Sequence, residues 1–180
     1  MPTTSKGLTY PTSTGHARIW EHIQTLAQDV DRVITKPAIG KASNTVSQSS
    51  ITTEAVSLTV SSMVFKAGWA YRAYIRTAVY GTVGAQVAFR LRKTNATGTD
   101  LGEFGRVTCD GTVVGSSAMV NGSIVLVRSA GTDLTTDVVL TVSASTGTVN
   151  CWAGTSSPRY LIIEPIGTAA EYAGLGVDVN

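Results

Sequence analysis

The spacing of apolar residues in this chain changes near Pro37, and that change limits the classes of fold open to it. Before Pro37, residues 16–34 carry apolar side chains at steps of four, three, four and three, a helical heptad spacing. From Ile51 onward, apolar and polar residues alternate, which is the period of half-buried β-strands. The sequence therefore predicts one short helix followed by an all-β body.

The β-body is predicted as about nine short strands with turn signals every 8 to 12 residues and no helix between them. Its longest strand is the alternating stretch WAYRAYIRTAVY, residues 69–80. Residues 94–105 are predicted as a loop, and Asn121-Gly122 gives the clearest hairpin signal. This pattern predicts a mainly β fold, an antiparallel β-sandwich for which a jelly roll is a natural arrangement.

The helix carries an apolar seam, which we predict to be an oligomer interface. Pro37 ends the helix, because the residue before a proline is disfavoured in the α region. β-Branched residues at d positions of a heptad favour three or more strands over two, so we expect a trimer. An amphipathic helix lying on its own domain is the alternative. The seam consists of Ile19, Ile23, Leu26, Val30 and Val33.

Composition divides the chain into segments with different predicted roles. The first residues are rich in Pro, Thr, Ser and Gly and cannot form a core alone, so they are a tail or an extended arm that orders on a partner. The last residues are rich in Gly and Ala without a period. The predicted segments are an arm (1–14), a helix (15–36), a neck or linker (37–50), a β-sandwich (51–166) and a C-terminal tail (167–180).

The charge content is low and nearly balanced. Charged residues make up 14% of the chain, against about 25% in a typical soluble domain. Wide, weakly charged surfaces are expected to be buried by copies of the same chain. The net charge of +2 gives no reason to expect nucleic acid. The apolar runs are too short to span a membrane, so we predict no membrane partner.

The residues needed for catalysis are not found in the β-body. Both histidines, His16 and His22, fall on the predicted helix, so neither a hydrolytic triad nor a zinc site is expected in the sandwich. No phosphate-binding glycine motif occurs. We predict no enzyme activity, no cofactor and no metal site. Two pairs of acids are predicted as solvated loop residues or at most a weak Ca²⁺ site: Asp100 with Glu103, and Asp133 with Asp137.

Arginines on two consecutive predicted strands suggest two interpretations. A basic stripe interleaved with Tyr74 would bind nucleic acid or glycan, whereas a solvated or subunit-facing strand face fits the balanced charge better. The residues are Arg72, Arg76, Arg90 and Arg92.

The two cysteines, Cys109 and Cys151, have neither a short spacing nor a CxxC motif. Both lie in predicted strands, where free thiols commonly act as small buried apolar groups. A disulfide remains open if the two strands are neighbours.

Two phrases of the sequence resemble virion proteins of tailed bacteriophages, particularly the small fibre-like or minor tail proteins of phages that infect actinobacteria. The first is GLTYPTSTGHARIWEHIQTLAQDVDRVI, in which a "GL-Y-P" arm precedes a helix of the "IQ-LA--VD" type. The second is SPRYLIIEPIG, similar to the phrase that ends the last strand of such proteins. Together the phrases cover about a fifth of the chain.

The resemblance implies a non-enzymatic structural protein of a virion, assembled in the bacterial host cytoplasm. It implies a homotrimer that attaches to capsid or tail proteins through its arm and helix and exposes its sandwich, as a minor tail or fibre protein or as a capsid decoration. The alternative is a module that binds host cell-surface glycan, which an exposed Trp69 or Trp152 would favour. The residues that the resemblance suggests for particle anchoring are Leu8, Tyr10, Pro11 and Trp20.

Overall fold

The computed structural model describes residues 36–113, 117–129 and 131–180, together with Ile23, residues 25–27 and Val30. The chain divides into two compact units, Met1–Lys36 and Pro37–Asn180. The boundary coincides with the proline at which the sequence predicts the helix to end. In the first unit the five described positions before Lys36 are helical. None of the helical segments in the described part of the chain is long and apolar enough to cross a membrane.

The described residues of the second unit form eleven strands. They are β1 (Gly40–Asn44), β2 (Gln48–Ile51), β3 (Ala55–Phe65), β4 (Trp69–Gly81), β5 (Gln86–Lys93), β6 (Asp100–Thr108), β7 (Ala118–Arg128), β8 (Leu134–Ala144), β9 (Val149–Trp152), β10 (Arg159–Thr168) and β11 (Val177–Asp178). Every strand pairing is antiparallel except that of β11 with β7.

The strands form two sheets. The first has the order β1-β10-β4-β7-β11, with β9 pairing with β4 and β2 pairing with β9, and the second has the order β3-β8-β5-β6. β1 and β2 together act as one interrupted strand, with residues 45–47 as the interruption, and β9 and β10 together act as another, interrupted by residues 153–158. We call each of these two interrupted strands a row. The two rows pair with each other, β1 with β10 and β2 with β9. With each row counted once and the two-residue β11 left out, eight strands remain, and they lie in the orders 1-8-3-6 and 2-7-4-5. This is a jelly roll, and the predicted mainly β sandwich is confirmed.

β4 shows why the sequence forms this sandwich. Its alternate residues Tyr71, Ala73, Ile75, Thr77 and Val79 are buried between the sheets. The side chains between them face outward, as the period of two requires. The Tyr71 ring packs edge-on against Phe65, with ring centroids 5.0 Å apart, and its hydroxyl accepts a hydrogen bond from the Lys66 backbone N–H at 2.7 Å. A buried tyrosine thus keeps a polar partner while its ring fills the core.

Two segments that the sequence predicts to lie outside the sandwich are part of it. Residues 37–50, predicted as a neck, contain β1 and the start of β2. Residues 167–180, predicted as a tail, contain the end of β10 and all of β11, and Val179 is fully buried. These strands are short edge strands, and over two to five residues no alternation is visible in the sequence. Tertiary pairing, not local pattern, makes them strands.

The predicted hairpin at Asn121-Gly122 is wrong. β7 runs without interruption through both residues, which pair with Arg76 and Ile75 of β4. A Cβ on Gly122 would lie 2.7 Å from the backbone oxygen of Phe104. The glycine therefore allows close backbone approach inside a strand, which is the other common reason for a strand glycine.

The predicted loop over residues 94–105 is also shorter than expected, because β6 begins at Asp100. Gly102 and Gly105 are the reason that the sequence pattern did not predict this strand. Both have positive φ, 127° and 143°, and the β5–β6 register shifts between Phe89 and Arg90 and again between Leu91 and Arg92. Glycines at such irregularities interrupt the alternation that identifies a strand.

Gly122→Val tests the strand assignment of residues 121–122. The added side chain meets the Phe104 backbone, so we expect a loss of about 2 kcal/mol in the free energy of unfolding, measured by urea denaturation. Asn121→Thr is the matched control at an exposed strand position, where a β-branched residue is well tolerated. A strong loss of stability in Asn121→Thr would indicate a turn instead.

Candidate interaction surfaces

The described part of the helix exposes the predicted seam. Ile23, Leu26 and Val30 are 61%, 43% and 37% exposed. Their steps of three and four place them on one side of the helix. That these exposed apolar residues form an oligomer interface stays a prediction. The remaining predicted interface residues, Ile19 and Val33, and the predicted anchoring residues lie outside the described residues.

The outer surface of the first sheet carries four aromatic side chains, which we name the aromatic face: Tyr74, Tyr80, Trp152 and Tyr160. The rings of Tyr74 and Tyr160 pack edge-to-face, with centroids 6.1 Å apart. Trp152 lies opposite Ala78, and Tyr80 opposite Asn150. All four are half-buried, so each keeps part of its ring accessible. Trp69, by contrast, packs against the hydrophobic core.

The structure does not form the basic stripe that the sequence suggested. Arg72 and Arg76 lie on β4 in the first sheet, whereas Arg90 and Arg92 lie on β5 in the second. The chain crosses from one sheet to the other between these two strands, so consecutive strands are not neighbours. Arg72 instead pairs with Glu164, at 2.5 Å from Nη2 to Oε1.

On the outer surface of the second sheet, three arginines and three carboxylates form what we name the ionic network. Glu54 accepts hydrogen bonds from Arg92 Nε at 2.6 Å and from Thr141 Oγ1 at 2.6 Å. Arg90 Nε lies 3.3 Å from Glu103 Oε2, and Arg106 Nε lies 2.8 Å from Glu103 Oε1. Asp100 is the third carboxylate, 4.0 Å from both Arg90 and Arg92.

The ionic network balances its own charge. The Arg92 hydrogen bond holds the pKa of Glu54 below its ordinary value, and the Arg106 hydrogen bond does the same for the pKa of Glu103. Both acids are therefore ionised at neutral pH and paired with guanidinium groups. Asp100 and Glu103 are thus strand residues held by arginine, not the solvated loop acids or weak Ca²⁺ site that the sequence predicted.

A shallow depression of about 160 Å³ lies beside the ionic network. Ser143, Ser145 and Gln86 supply polar groups around it, and Ala88 forms an apolar floor. Arg90 and Arg106 also line it, but both are already paired with Glu103. The depression therefore offers hydrogen bonds without a free charge, and no aromatic ring lines it for a sugar to stack on.

The other acids have structural partners. Asp133 accepts a hydrogen bond from the Ala67 backbone N–H at 3.0 Å, and Asp137 accepts one from the Ser62 backbone N–H at 2.8 Å. The Asp133 carboxylate thus connects the β3–β4 turn to the residues before β8. The Asp137 carboxylate connects the irregular part of β3 to β8. Within the described residues no group of three or more His, Cys, Asp or Glu side chains is placed to hold a metal ion.

Both cysteines are free and buried, so the interpretation as small buried thiols is confirmed and the disulfide is not formed. Burial raises the pKa of the Cys109 thiol and raises that of Cys151 to about 11. Neither is a reactive thiolate at neutral pH.

No known protein-family model matches this chain, and no curated protein matches it. Solved structures with a similar arrangement exist. One is the infectious bursal virus T=1 particle, at 10% identity and a TM-score of 0.44, covering 74% of this chain and 38% of that chain. Another is the VP2 subviral particle of infectious bursal disease virus, at 11% identity and a TM-score of 0.43, covering 79% and 44%.

A third structure is a carbohydrate-binding module, the C-terminal CBM6 of the laminarinase LamC of Zobellia galactanivorans. It shares 16% identity at a TM-score of 0.35 and covers 71% of this chain and 99% of that chain. This chain spans less than half the length of the two capsid proteins. With identities and TM-scores this low, none of the three similarities carries an argument about function. The jelly-roll assignment rests on strand order alone.

Glu54→Gln tests the ionic network. A lowered pKa in the folded state means that the ionised carboxylate stabilises the fold above the ordinary pKa of 4.5, and that this contribution disappears as the pH falls through the folded-state pKa. We expect the variant to lose about 1 kcal/mol at pH 7 and the difference from wild type to vanish in acid, measured by urea denaturation. Asp110→Asn, which removes an exposed carboxylate outside the network, should have no effect. A loss that does not depend on pH would contradict the ion pairing.

Proposed function

We propose that this chain is a non-enzymatic structural subunit of a bacteriophage virion that assembles as a homotrimer through its N-terminal helix. The observation that carries the proposal is the exposure of the apolar seam residues Ile23, Leu26 and Val30. Apolar side chains at heptad spacing on an exposed helical surface need a partner to be removed from water. A second and third copy of the same helix would supply that partner.

The pairing of the charged side chains in the sandwich supports a structural role. Glu54 and Glu164 are paired with arginines, and Asp133 and Asp137 with backbone groups. The two arginines that line the depression are paired with Glu103. Jelly rolls are a common building block of viral shells, although a fold alone does not specify a function. The resemblance of the arm and of the last-strand phrase to phage virion proteins adds the phage context.

In this proposal the arm attaches the trimer to the particle and the sandwiches project from it. Leu8, Tyr10, Pro11 and Trp20 are the residues we propose for the attachment, since each offers an apolar surface to a capsid or tail protein. Three linked sandwiches multiply weak contacts through avidity, so no deep pocket is required for adhesion. The proposal covers a minor tail or fibre position as well as capsid decoration.

The oligomeric state tests the proposal directly. Light scattering on the purified full chain should give three times the chain mass of 18.8 kDa, unchanged on dilution. Replacing Ile23 and Leu26 together by Asp would place charges in the seam at a cost of several kcal/mol, so we expect dissociation to monomers. Val83→Asp, at an exposed apolar position 69% accessible in the β4–β5 turn, is the control and should remain trimeric.

Two results would contradict the proposal. A stable monomer of the unmodified chain means that the helix does not join copies of it. A trimer that persists in the double variant means that the sandwich, not the seam, holds the subunits together.

A second candidate function is binding of host cell-surface glycan, which the aromatic face favours. Sugars stack on exposed aromatic rings, and Tyr74, Tyr160 and Trp152 present half-accessible rings on a flat sheet surface. Trp69 and Trp152 are both half-buried, but Trp69 packs against the hydrophobic core. Trp152 belongs to the aromatic face and is therefore the residue to test.

Intrinsic tryptophan fluorescence, titrated with soluble bacterial cell-wall polysaccharides, tests this second function. If the aromatic face binds sugar, the polysaccharide should shift the emission of the native chain, and Trp152→Ala should weaken binding at least tenfold. Trp69→Phe keeps the core filled and should bind normally. Equal binding by Trp152→Ala and the native chain would remove the aromatic face from consideration.

A further inference from the structure

Four polar side chains meet inside the sandwich, and we name them the buried polar cluster: Ser57, Thr77, Cys151 and Arg159. Arg159 is 4% exposed, Thr77 2% and Ser57 9%, and Cys151 is fully buried. A guanidinium group at this depth is unusual, because buried arginines normally pair with a carboxylate.

Strand register brings the cluster together. Arg159 is the first residue of β10, and its side chain points to the same inner face as those of Leu161 and Ile163, which are both fully buried. Cys151 of β9 lies opposite Val79 of β4, two residues after Thr77. The facing sheet contributes Ser57, at the point where the pairing of β3 with β8 shifts between Val56 and Leu58.

The hydrogen bonds of the cluster are incomplete. Arg159 Nη1 donates to Gln48 Oε1 at 3.2 Å. Arg159 Nε, Ser57 Oγ and Thr77 Oγ1 are buried, and no nitrogen or oxygen atom of the described residues hydrogen-bonds to them. Their polar neighbour is the thiol of Cys151, which is only a weak hydrogen-bond partner. Arg159 forms no ion pair with any carboxylate of the described residues. The cluster therefore contains several donors and a positive charge without a negative group to receive them.

The neighbouring thiol does not supply the missing charge. Burial raises the pKa of Cys151 to about 11, although the charge of Arg159 and the weak hydrogen bonds of Thr77, Arg159 and Ser57 with the thiol act in the opposite direction. Burial also lowers the pKa of Arg159, but a guanidinium group remains protonated in proteins. At neutral pH the cluster thus carries one net positive charge on a side chain that is almost entirely removed from water.

We propose that the buried polar cluster binds a small monovalent anion, such as chloride, between Arg159, Thr77 and Ser57. An isolated buried charge is costly, and so is each buried hydroxyl without a partner. One anion accepts hydrogen bonds from all three groups and neutralises the guanidinium, whereas a water molecule neutralises nothing. The cluster contains one cationic group, which favours a monovalent ion over phosphate or sulfate.

The strand interruptions lie beside this site. β1 ends at Asn44 opposite Arg159, and β2 begins at Gln48 opposite Cys151. Residues 45–47 and 153–158, which interrupt the two rows, therefore lie next to the buried polar cluster. Ser47 Oγ and the Ala153 backbone join the two excursions, at 3.1 Å to the nitrogen and 3.2 Å to the oxygen. An ion entering here passes two short loops instead of a continuous sheet.

Thermal unfolding of the full chain, with sodium gluconate replaced by sodium chloride at constant ionic strength, tests the site in solution. We expect chloride to raise Tm by about 3 °C in the native chain and to leave Arg159→Met unaffected, since this variant keeps the length of the side chain and removes its charge. Arg76→Met, on the outward face of β4, is the matched control and should respond like the native chain.

Crystals grown in sodium bromide locate the ion, because bromide scatters anomalously. An anomalous peak beside Arg159 Nε, together with the chloride effect on Tm, supports the proposal. The proposal is overturned by a water molecule at that position or by the absence of a peak. It is also overturned by equal chloride responses in the native chain and Arg159→Met, or by a peak without any solution effect (binding at crystal concentration only). If Arg159→Met does not fold, Thr77→Val serves instead, since it keeps the shape, removes one donor and should reduce the chloride effect.

Discussion

β4 is the strand on which the rest of the sandwich depends. It pairs with β7 along one edge, and with β10 and then β9 along the other, so the first sheet is assembled around it. Its inward residues, from Tyr71 to Val79, are buried against the facing sheet. Because strand side chains alternate between faces, the same register that buries these residues also sets Tyr74 and Arg76 on the outer surface. Core and outer surface are therefore consequences of one pairing.

The outer surfaces of the two sheets differ in chemistry. The first presents half-buried aromatic rings with one arginine–glutamate pair, Arg72 with Glu164. The second presents the ionic network, in which each arginine faces a carboxylate. A surface that balances its own charge attracts neither nucleic acid nor an acidic partner strongly. Aromatic rings, in contrast, are the side chains most used in contacts with proteins and sugars. Contacts of the sandwich with a partner are therefore expected at the aromatic face.

The differences between prediction and structure have a common physical origin. Asn121-Gly122 has the composition of a tight turn, but β7 continues through it because β4 offers eleven consecutive pairing positions. Residues 40–51 and 177–178 are too short or too polar to show alternation, yet neighbouring strands complete their hydrogen bonds. Arg159 alternates with Leu161 and Ile163, but Tyr160 and Ile162 make the other face of the strand apolar as well. The sequence therefore did not predict that Arg159 is buried, or that it is buried without a carboxylate. The local sequence pattern indicates which face of a strand a residue prefers. Only the pairing and packing of the two sheets decide which other residues it contacts on that face.

The sequence by itself determined the all-β class of the body and most strand positions, and it predicted the end of the helix at Pro37 and the apolar seam before it. These follow from residue periodicity and proline geometry, which act over a few neighbouring residues. The tertiary structure alone decided the jelly-roll order, the separation of Arg72 and Arg76 from Arg90 and Arg92, the ionic network and the buried polar cluster. Each of these joins residues far apart in the chain, and their meeting depends on which strands pair, a choice made by the packing of the whole core.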